Sequence, residues 1–473
     1  MRLRTVGVVL AVAAVVATGA FGGSSSGTIT TIAGTGTSGF SGDGGPATAA
    51  KLSAPWGVAI DGQGNVYIAD ERNWRVRKIT PGGTISTFAG TGAAGYSGDG
   101  GLATSAQLNS AKGVAVDGQG SVYIADSYNY RVRKIGRGGA ITTFAGGGKP
   151  GFLGDGGPAT SATVRNPFGV AVDGQGNVYI ADTDNMRVRK VNPSGTITTI
   201  AGTGVQGFSG DGGRATSARL RFPYGVAVDG RQNVYIADNG NNRVRKVSPG
   251  GTITTFAGTG ACGSLLGDGG PATSATVCQP MGLAVDGQGN VYIAGANVVR
   301  KVSPGGKITT FAGTGTCGSV VGNGGQATRA QLCYPSGMAV DGQGDLYIAE
   351  QARGRVRKVG TSTAKATYAG FYSPSHNLSC ELADRDSRGS YVYCQSVKAP
   401  KNVRMGLDGR LKICRGTQCL GNPAENTPAL GYGKKITIGR FGCLSQQSGV
   451  RCTVIRSRKG FLIDSKSVRR VGP

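Results

Sequence analysis

The sequence predicts an all-β protein built from six copies of one four-stranded unit, followed by a smaller β-rich segment. One copy, residues 222–260, contains four short apolar-alternating segments separated by Gly, Asn or Asp, as expected for four strands joined by turns. The spacing of a GVAVD-type motif is 55 to 57 residues, with its aspartate at Asp61, Asp117, Asp173, Asp229, Asp286 and Asp341. A fixed period of this size indicates a repeat architecture.

The repeats resemble those of NHL-repeat β-propellers. The resemblance rests on GVAIDGQGNVYIADERNWRVRKI from Gly57, GVAVDGQGSVYIADSYNYRVRKI from Gly113 and four successors, and covers residues 27–360. It implies a six-bladed β-propeller with four-stranded blades and a binding or scaffolding role, without identifying a ligand. Residues 361–473, with SPSHNLSC, YVYC and LGYGKKITIGRFGC, resemble a small secreted Cys-rich β domain family of unknown function. They are expected to form a basic, disulfide-rich β domain.

Residues 1–23 are predicted to be a signal peptide. Arg2 and Arg4 precede an apolar stretch, and small residues suitable for cleavage follow it. We therefore expect a secreted or cell-envelope-associated protein. An uncleaved anchor is the alternative, although the stretch is short for a span of ~20 apolar residues.

The outer strands predict how the ring closes. A TITTFAG-type segment occurs six times, and its first copy, at residues 28–33, precedes the first GVAID strand. No clean equivalent follows the sixth RVRKV, which ends at Val359. Residues 28–33 should therefore complete the last blade, which leaves no free sheet edge. The alternative is that residues 366–370 supply this strand.

Ten cysteines behind a predicted signal peptide indicate disulfides formed in an oxidising compartment. Cys262 and Cys278 are 16 residues apart, as are Cys317 and Cys333 at the matching positions of the next repeat. Each pair should close one loop, a constraint worth ~3 kcal/mol in the chain-entropy model. Sequential pairing, one of 15 connectivities, is the hypothesis for the other six: Cys380 with Cys394, Cys414 with Cys419, and Cys443 with Cys452. Because His376 is the only histidine, no metal site is expected.

Each long loop contains GxGxxG, but more glycine and no helix follows, so no nucleotide or other cofactor is expected. The loops continue as GDGGPAT-type segments. Their aspartates are interpreted as organising their own loops through backbone hydrogen bonds or helix capping, and a ring of cation ligands is the alternative. These residues are Asp43, Asp99, Asp155, Asp211 and Asp268, with Asn323 in the sixth repeat.

The YIAD aspartates are interpreted as structural partners of the first arginine of RVRK. The pairs would be Asp70 with Arg75, Asp126 with Arg131, Asp182 with Arg187, Asp238 with Arg243, and Glu350 with Arg355. Repeat five loses both members, with Gly295 and Val298 in their places. The remaining charges of this motif are expected on a solvated face, for example Arg77, Lys78, Arg245 and Lys246.

Positions that differ between repeats form the candidate ligand-binding surface. Those before the GVAVD glycine are Trp56, Lys112, Phe168, Tyr224, Met281 and Ser336. Those in the turn between the second and third strands are Trp74, Tyr130, Met186, Asn242 and Gly354. Both sets are expected on one face near the central channel, where they would bind an extracellular protein, peptide or glycan. The alternative is that the long loops pack against these rings.

Positive charge is concentrated in the C-terminal segment. Of a net charge of +26, residues from 361 onward contribute 19 Lys and Arg against 6 Asp and Glu. A basic patch there is expected to hold an anionic wall polymer or membrane surface, and simple solubility is the alternative. Its candidate residues are Arg456, Arg458, Lys459, Lys466, Arg469 and Arg470. No nucleic acid partner is expected, and we expect a monomer.

The repeats contain few residues suited to catalysis. They contain no histidine, so a Ser-His-Asp triad cannot be built there, and we expect a non-catalytic protein. The alternative is a propeller enzyme of glycoside hydrolase, lyase or lactonase type, with a channel carboxylate or metal. Glu71 and Glu350, the two glutamates of the repeats, would be its candidate carboxylates.

Overall fold

The computed structural model of the chain describes residues 27–263, 266–318 and 322–360, together with ten strands between residues 368 and 471. The predicted signal peptide lies outside the described residues. No helix in the described part has the length and apolar character needed to cross a membrane.

Residues 29–359 form six four-stranded antiparallel sheets, the blades of a propeller, which confirms the predicted fold. The inner strands contact one another in sequence order, and the sixth contacts the first. The chain begins with β1 (Ile29–Ala33), which belongs to blade 6. Blade 1 is β2 (Pro55–Ile60), β3 (Val66–Asp70), β4 (Arg75–Ile79) and β5 (Ile85–Ala89); blade 2 is β6 (Ala111–Val116), β7 (Val122–Asp126), β8 (Arg131–Ile135) and β9 (Ile141–Ala145); blade 3 is β10 (Pro167–Val172), β11 (Val178–Asp182), β12 (Arg187–Val191) and β13 (Ile197–Ala201).

The second half of the ring repeats this order. Blade 4 is β14 (Pro223–Val228), β15 (Val234–Asp238), β16 (Arg243–Val247) and β17 (Ile253–Ala257); blade 5 is β18 (Leu283–Val285), β19 (Val291–Gly295), β20 (Val298–Val302) and β21 (Ile308–Ala312); blade 6 is β22 (Pro335–Val340), β23 (Leu346–Glu350), β24 (Arg355–Val359) and β1. Short 3-10 helices are Ala47–Ala49, Glu71–Asn73, Ala103–Ser105, Ser127–Asn129, Thr183–Asn185, Ala215–Ser217, Asn239–Asn241, Ala272–Ser274, Ala327–Arg329 and Gln351–Arg353.

The second strand of each blade is buried on both faces, which explains its nearly continuous apolar sequence. In β3, Tyr67 and Ala69 pack with core residues of blade 2, whereas Val66 and Ile68 pack with Tyr347 of blade 6. Successive side chains point to opposite faces of a strand, so VYIAD supplies apolar groups to two interfaces at once. The hydrophobic core therefore lies between the blades.

The first strand closes the ring. β1 pairs antiparallel with β24, with Ile29 opposite Val359, and Ile29 is fully buried. The predicted closure is therefore confirmed. The alternative strand at residues 366–370 is wrong, because Tyr368–Tyr372 belongs to a different sheet. Pairing both termini of the propeller within one blade removes the free edge.

The glycine of each GVAVD motif allows the inner strands to approach one another around the axis. A Cβ atom added at Gly113 would lie 2.3 Å from the carbonyl oxygen of Phe168 in the next blade. At the closing position, a Cβ atom on Gly337 would lie 2.5 Å from the Trp56 oxygen. These glycines are constant because a side chain would force neighbouring blades apart.

Two five-stranded antiparallel sheets follow the propeller in sequence. The first is β25 (Tyr368–Tyr372), β26 (Leu378–Ala383), β27 (Tyr391–Ser396), β28 (Lys401–Gly406) and β29 (Leu411–Arg415); the second is β30 (Lys435–Ile438), β31 (Phe441–Gln446), β32 (Gly449–Val454), β33 (Gly460–Ile463) and β34 (Val468–Val471). Each places two cysteines opposite each other on its second and third strands, Cys380 with Cys394 and Cys443 with Cys452. The two sheets therefore have the same number of strands and the same cysteine positions.

The structure forms disulfides between Cys262 and Cys278, between Cys317 and Cys333, and between Cys443 and Cys452. All three pairs agree with the sequence-based pairing. For Cys380 and Cys394 the structure gives the strand register alone. The hypothetical partner of Cys414, Cys419, lies outside the described residues.

Candidate ligand-binding face

Aromatic side chains from three blades meet at one mouth of the central channel. The ring centroids of Trp56 and Phe168 are 5.6 Å apart, and those of Phe168 and Tyr224 are 4.7 Å apart. Trp56 and Tyr224, from blades 1 and 4, approach to 6.2 Å. All three are partly exposed. We call these three rings and Lys112 the channel-mouth cluster.

Lys112 places a positive charge between two of these rings. Its Nζ lies 4.3 Å from the Trp56 ring centroid and 4.1 Å from that of Phe168, within the range of cation–π attraction. Nζ is also 3.2 Å from Oε1 of Glu71, which accepts a hydrogen bond from the Ser110 hydroxyl at 2.8 Å. The cluster thus combines aromatic surface with a partly buried ion pair.

We call the six residues that precede the GVAVD glycines the inner-strand set. Its remaining two members, Met281 and Ser336, differ in exposure. Met281 is partly exposed and lines a central cavity of about 60 Å³ beside the channel-mouth cluster. Ser336 is fully buried, and its hydroxyl donates to the Trp56 carbonyl at 2.9 Å. The wall of this cavity continues with the GVAVD glycines and aliphatic residues such as Val58 and Val114. In its described residues, this part of the channel therefore presents both apolar side chains and polar backbone groups.

The predicted turn residues occupy the left-handed position after the 3-10 helices that connect the second and third strands of a blade. Two of them join neighbouring blades. Met186 Sδ accepts a hydrogen bond from the Phe222 backbone at 3.2 Å. Asn242 Oδ1 accepts one from Gln279 N at 3.0 Å. Trp74 is 37% exposed, and Tyr130 is partly buried. The structure therefore brings together the inner-strand set but spreads the turn set over the seams between blades.

The two glutamates considered for catalysis lie in adjacent blades. Glu350 is buried and accepts hydrogen bonds from Cys333 N at 3.0 Å and from Arg357 at 3.2 Å. Glu71 is partly exposed and holds Lys112, and Gln351 Nε2 lies 3.5 Å from its Oε2. Only Glu71 is accessible from the candidate face.

The partners predicted for the YIAD aspartates are wrong. Asp70 lies opposite Arg75 in the strand register, but its carboxylate lies 3.5 Å from Arg77 Nη1 instead. Arg75 donates to the backbone oxygens of Asn73 and Thr91 at 3.1 and 2.6 Å. Both arginines are on one face of β4, and Arg77 reaches the deeper acid because it lies nearer the middle of the strand. Arg131, Arg187 and Arg243 likewise bind backbone oxygens, Asp126, Asp182 and Asp238 pair with Arg133, Arg189 and Arg245, and Glu350 pairs with Arg357.

The sequence-based expectation that Arg77 and Arg245, the second arginines of RVRK, lie on a solvated face is wrong. Both are fully buried. Arg77 Nη2 donates to Asp43 Oδ1 at 2.5 Å, and the Thr87 hydroxyl donates to the other oxygen at 2.6 Å. The loop aspartates therefore hold the third and fourth strands of the blade, instead of organising their own loops. Five repeats share this pair: Asp43 with Arg77, Asp99 with Arg133, Asp155 with Arg189, Asp211 with Arg245, and Asp268 with Arg300.

An aromatic residue in each of the first four long loops covers the arginines. The Phe40 ring centroid is 3.8 Å from Arg75 Cζ and 4.7 Å from Arg77 Cζ, and Tyr96, Phe152 and Phe208 repeat this contact. The sequence has no aromatic residue between Cys262 and Asp268, or between Cys317 and Asn323. Each of these two loops contains a disulfide instead. Sequence reasoning missed this ion pair. The signal was that the second RVRK arginine is constant in all six repeats and the loop aspartate is constant in five.

The acidic partners of Arg77 differ in their pKa. Burial raises the pKa of Asp70 to about 6, against the lowering effects of Asn73, the Ser53 N–H group and Arg77. Burial also raises the pKa of its counterparts in blades 2 to 4 to about 6. Burial also tends to raise the pKa of Asp43, but the hydrogen bonds from Thr87 and the charge of Arg77 outweigh it, so that the pKa is lowered overall. At the channel mouth, burial and the charge of Asp184 raise the pKa of Tyr224.

The basic patch is described only in part. Arg469 and Arg470 lie in β34, opposite Leu462 and Phe461. Arg456, Arg458, Lys459 and Lys466 lie outside the described residues.

Sequence comparisons relate the propeller to known repeats. The family model of the Teneurin NHL domain matches residues 27–97, 92–151, 148–209 and 261–320, and the NHL repeat model matches residues 220–247. Teneurin-4 of Mus musculus is 28% identical over 394 residues, covering 75% of this chain. The match spans 14% of the teneurin's length.

Two solved structures from Bacteroides thetaiotaomicron share the fold. A structural genomics protein of unknown function has a TM-score of 0.52 at 24% identity, with 70% of this chain and 75% of that chain covered. An auxiliary nutrient binding protein has a TM-score of 0.51 at 16% identity, with 70% and 76% covered.

Proposed function

This chain belongs to the NHL-repeat β-propeller family, and from that premise we propose that it is a non-catalytic binding or scaffold protein. The ligand would contact the face that carries the channel-mouth cluster. Its class would be an extracellular protein, peptide or glycan. No nucleic acid is part of the proposal.

The channel-mouth cluster is the observation that carries this proposal. Three partly exposed rings and a lysine, contributed by four different blades, converge within 4.1 to 6.2 Å. Aromatic side chains at the centre of a surface supply contact area at a low cost in conformational entropy. Residues that are constant in most repeats, such as Asp43, Asp70 and Arg77, pair with one another inside a blade. The variable residues of the cluster come together at the channel mouth instead. That division is expected of a scaffold that presents a specific surface.

Binding measurements can test the cluster directly. We would compare wild type with the Trp56→Ala, Phe168→Ala double variant against glycan arrays, peptide arrays and envelope fractions. Leu153→Ala is the matched control, because Leu153 is an exposed apolar side chain on a loop. Loss of a wild-type ligand in the double variant alone would support the site. Equal binding by all three proteins would remove it.

Secretion and attachment to the cell envelope are the finer parts of the proposal. The predicted signal peptide and the disulfides support an oxidising location. The basic charge after residue 361 suits an anionic wall polymer or lipid headgroups. Mass spectrometry of the unreduced protein should find Cys262 linked to Cys278, and free thiols there would contradict export. Replacing Arg456, Arg458 and Lys459 by Gln should weaken salt-sensitive retention on anionic wall polymer.

A propeller enzyme of glycoside hydrolase, lyase or lactonase type is the second candidate. The Glu71–Lys112 pair favours it, since this carboxylate and amine lie 3.2 Å apart and Lys112 contacts the rings of Trp56 and Phe168, which line the central cavity. Turnover in a broad substrate screen that Glu71→Gln abolishes would favour the enzyme over the binding protein.

A further inference from the structure

The seam between blade 6 and blade 1 contains a pocket of about 420 Å³. We call it the seam pocket. Its wall includes Ala54 and Arg72 from blade 1, and Tyr334, Gln351 and Arg353 from blade 6. The volume lies within the range of roughly 300–1,000 Å³ that small-molecule sites occupy.

Two small residues distinguish this seam from its counterparts. The left-handed position after the 3-10 helix is Gly354 in blade 6, but Trp74, Tyr130, Met186 and Asn242 in blades 1 to 4. At the blade 3–4 and blade 4–5 seams, the side chain at this position crosses to the next blade, as Met186 and Asn242 do. The left-handed residue that such a side chain would meet is Ala54, the smallest residue at this position; its equivalents in blades 2 to 6 are Ser110, Asn166, Phe222, Gln279 and Tyr334. The closing seam therefore lacks bulk on both sides.

The charge of the seam pocket is positive. Arg72 and Arg353 line it, and none of its described lining residues is acidic. Arg353 stands where Asn73, Asn129, Asn185 and Asn241 occur in blades 1 to 4. Like those asparagines it holds the long loop, since its Nη2 donates to the Gly318 carbonyl at 2.5 Å. A guanidinium has five N–H donors, so donors remain for a bound anion.

The rest of the wall suits a ring that carries hydroxyl groups. Tyr334 is 52% exposed and supplies an aromatic side chain at one edge. The Ser38 hydroxyl and the Gln351 amide are uncharged hydrogen-bonding groups of the same wall. The planar fork of each guanidinium can bind the two oxygens of a carboxylate bidentately, as it can those of a phosphate.

From this combination we propose that the seam pocket binds a carboxylate carried on a saccharide ring, as in a uronic acid unit. Arg72 and Arg353 take the carboxylate, and Tyr334 covers one face of the ring. This site is separate from the channel-mouth cluster, and its proposal does not depend on a ligand there.

Calorimetric titration of the full-length protein tests the seam pocket. The probes are digalacturonate, a neutral galactose disaccharide, inorganic phosphate and a short acidic peptide. We expect digalacturonate alone to bind, and Arg72→Gln and Arg353→Asn each to weaken it about tenfold or more, the effect of losing a hydrogen bond to a charged group. Arg353→Asn restores the residue of blades 1 to 4 and should fold. Ala54→Gln, which introduces the residue of blade 5, should block the pocket without changing its charge.

Arg231→Gln is the matched control, because it removes one exposed arginine from a turn remote in sequence from the seam. It should leave digalacturonate binding unchanged. Equal losses in Arg231→Gln and Arg353→Asn would overturn the proposal in favour of unspecific charge attraction. Wild-type affinity in Ala54→Gln, or equal binding of the neutral disaccharide, would overturn it as well. Binding of the acidic peptide or of phosphate instead of digalacturonate would show that the pocket takes a different anion.

Discussion

Arg77 in β4 and Asp43 in the preceding long loop form an ion pair with an Nη2–Oδ1 distance of 2.5 Å. The arginine is fully buried, whereas the side chain of the aspartate is 40% exposed. This contact ties the long loop to the blade that follows it, because the same aspartate also binds Thr87 in β5, and five of the six repeats share the ion pair. One of these loops also contributes Gly36 and Ser38 to the wall of the seam pocket.

Removing the loop aspartate should destabilise the blade. Asp43→Asn leaves the buried guanidinium with a weaker acceptor, and we expect a loss of about 1–3 kcal/mol in the free energy of unfolding. Blade 6 offers the reverse experiment, because Asn323 occupies this position and the buried Nη2 atom of Arg357, which binds the aspartate in the other repeats, has no described partner. Asn323→Asp should stabilise by up to about 1 kcal/mol. Urea titration measures both, and stabilisation by Asp43→Asn would contradict this role.

Stability should depend on pH through the buried YIAD aspartates. The pKa of Asp70 is raised from 3.8 to about 6 in the folded protein, so the folded state retains a proton that the unfolded state has released. This contribution is fully present below the unfolded pKa and is lost as pH rises through about 6. The titration of Asp70 alone should lower the free energy of unfolding between pH 4 and 6.5 by an amount of order 1–3 kcal/mol.

Asp70→Asn should remove the Asp70 part of that decline and leave the parts contributed by Asp126, Asp182 and Asp238. Asp61→Asn is the control of opposite sign, because burial raises the pKa of Asp61 but hydrogen bonds from Asn65, Gln63 and Tyr67 lower it overall. Its stabilising contribution is lost only as pH falls through the lowered pKa, so the cost of Asp61→Asn should be constant between pH 5 and 7. Parallel profiles for wild type and Asp70→Asn would refute the assignment.

The inner-strand glycines should tolerate no side chain. Gly113→Ala places a methyl group 2.3 Å from the Phe168 carbonyl oxygen, and we expect a loss of about 1–3 kcal/mol or more from overpacking. Gly118→Ala is the matched control, since no atom lies within 4 Å of a Cβ there. Thermal unfolding of the two variants should differ clearly. Similar midpoints would mean that the inner strands can separate without cost.

Ring closure by β1 should contribute as much stability as any other outer strand. Ile29→Ala removes a fully buried side chain from the core between blades 5 and 6, and we expect a cost of about 2–4 kcal/mol. Ile253→Ala makes the same change in β17 of blade 4. Denaturant unfolding should give similar losses for both. A loss below about 1 kcal/mol for Ile29→Ala alone would indicate that closure adds little.

Much of the fold could be read from the printed sequence, because repetition makes periodicity visible. The 55 to 57 residue spacing indicated the blades, and the position of the first of six TITTFAG-type segments, before the first GVAID strand, indicated the closing strand. The pairing of Cys262 with Cys278 followed from equal spacing in two neighbouring repeats. Comparison of the repeats also separated constant from variable positions, and the variable inner-strand residues Trp56, Phe168 and Tyr224 do converge.

Other relationships depended on three-dimensional positions. Asp70 could be matched to either Arg75 or Arg77 along the chain, since both side chains lie on the same face of β4, and only depth within the blade selects Arg77. The Asp43–Arg77 pair spans 34 residues, a distance at which the chain imposes no preference. The seam pocket combines Ala54 and Arg72 with Tyr334 and Arg353, which are adjacent only because β1 brings the two ends of the ring together. Periodicity can be recognised from the order of residues along the chain. Burial, and contacts between side chains distant in sequence, arise only when the chain folds and the ring closes.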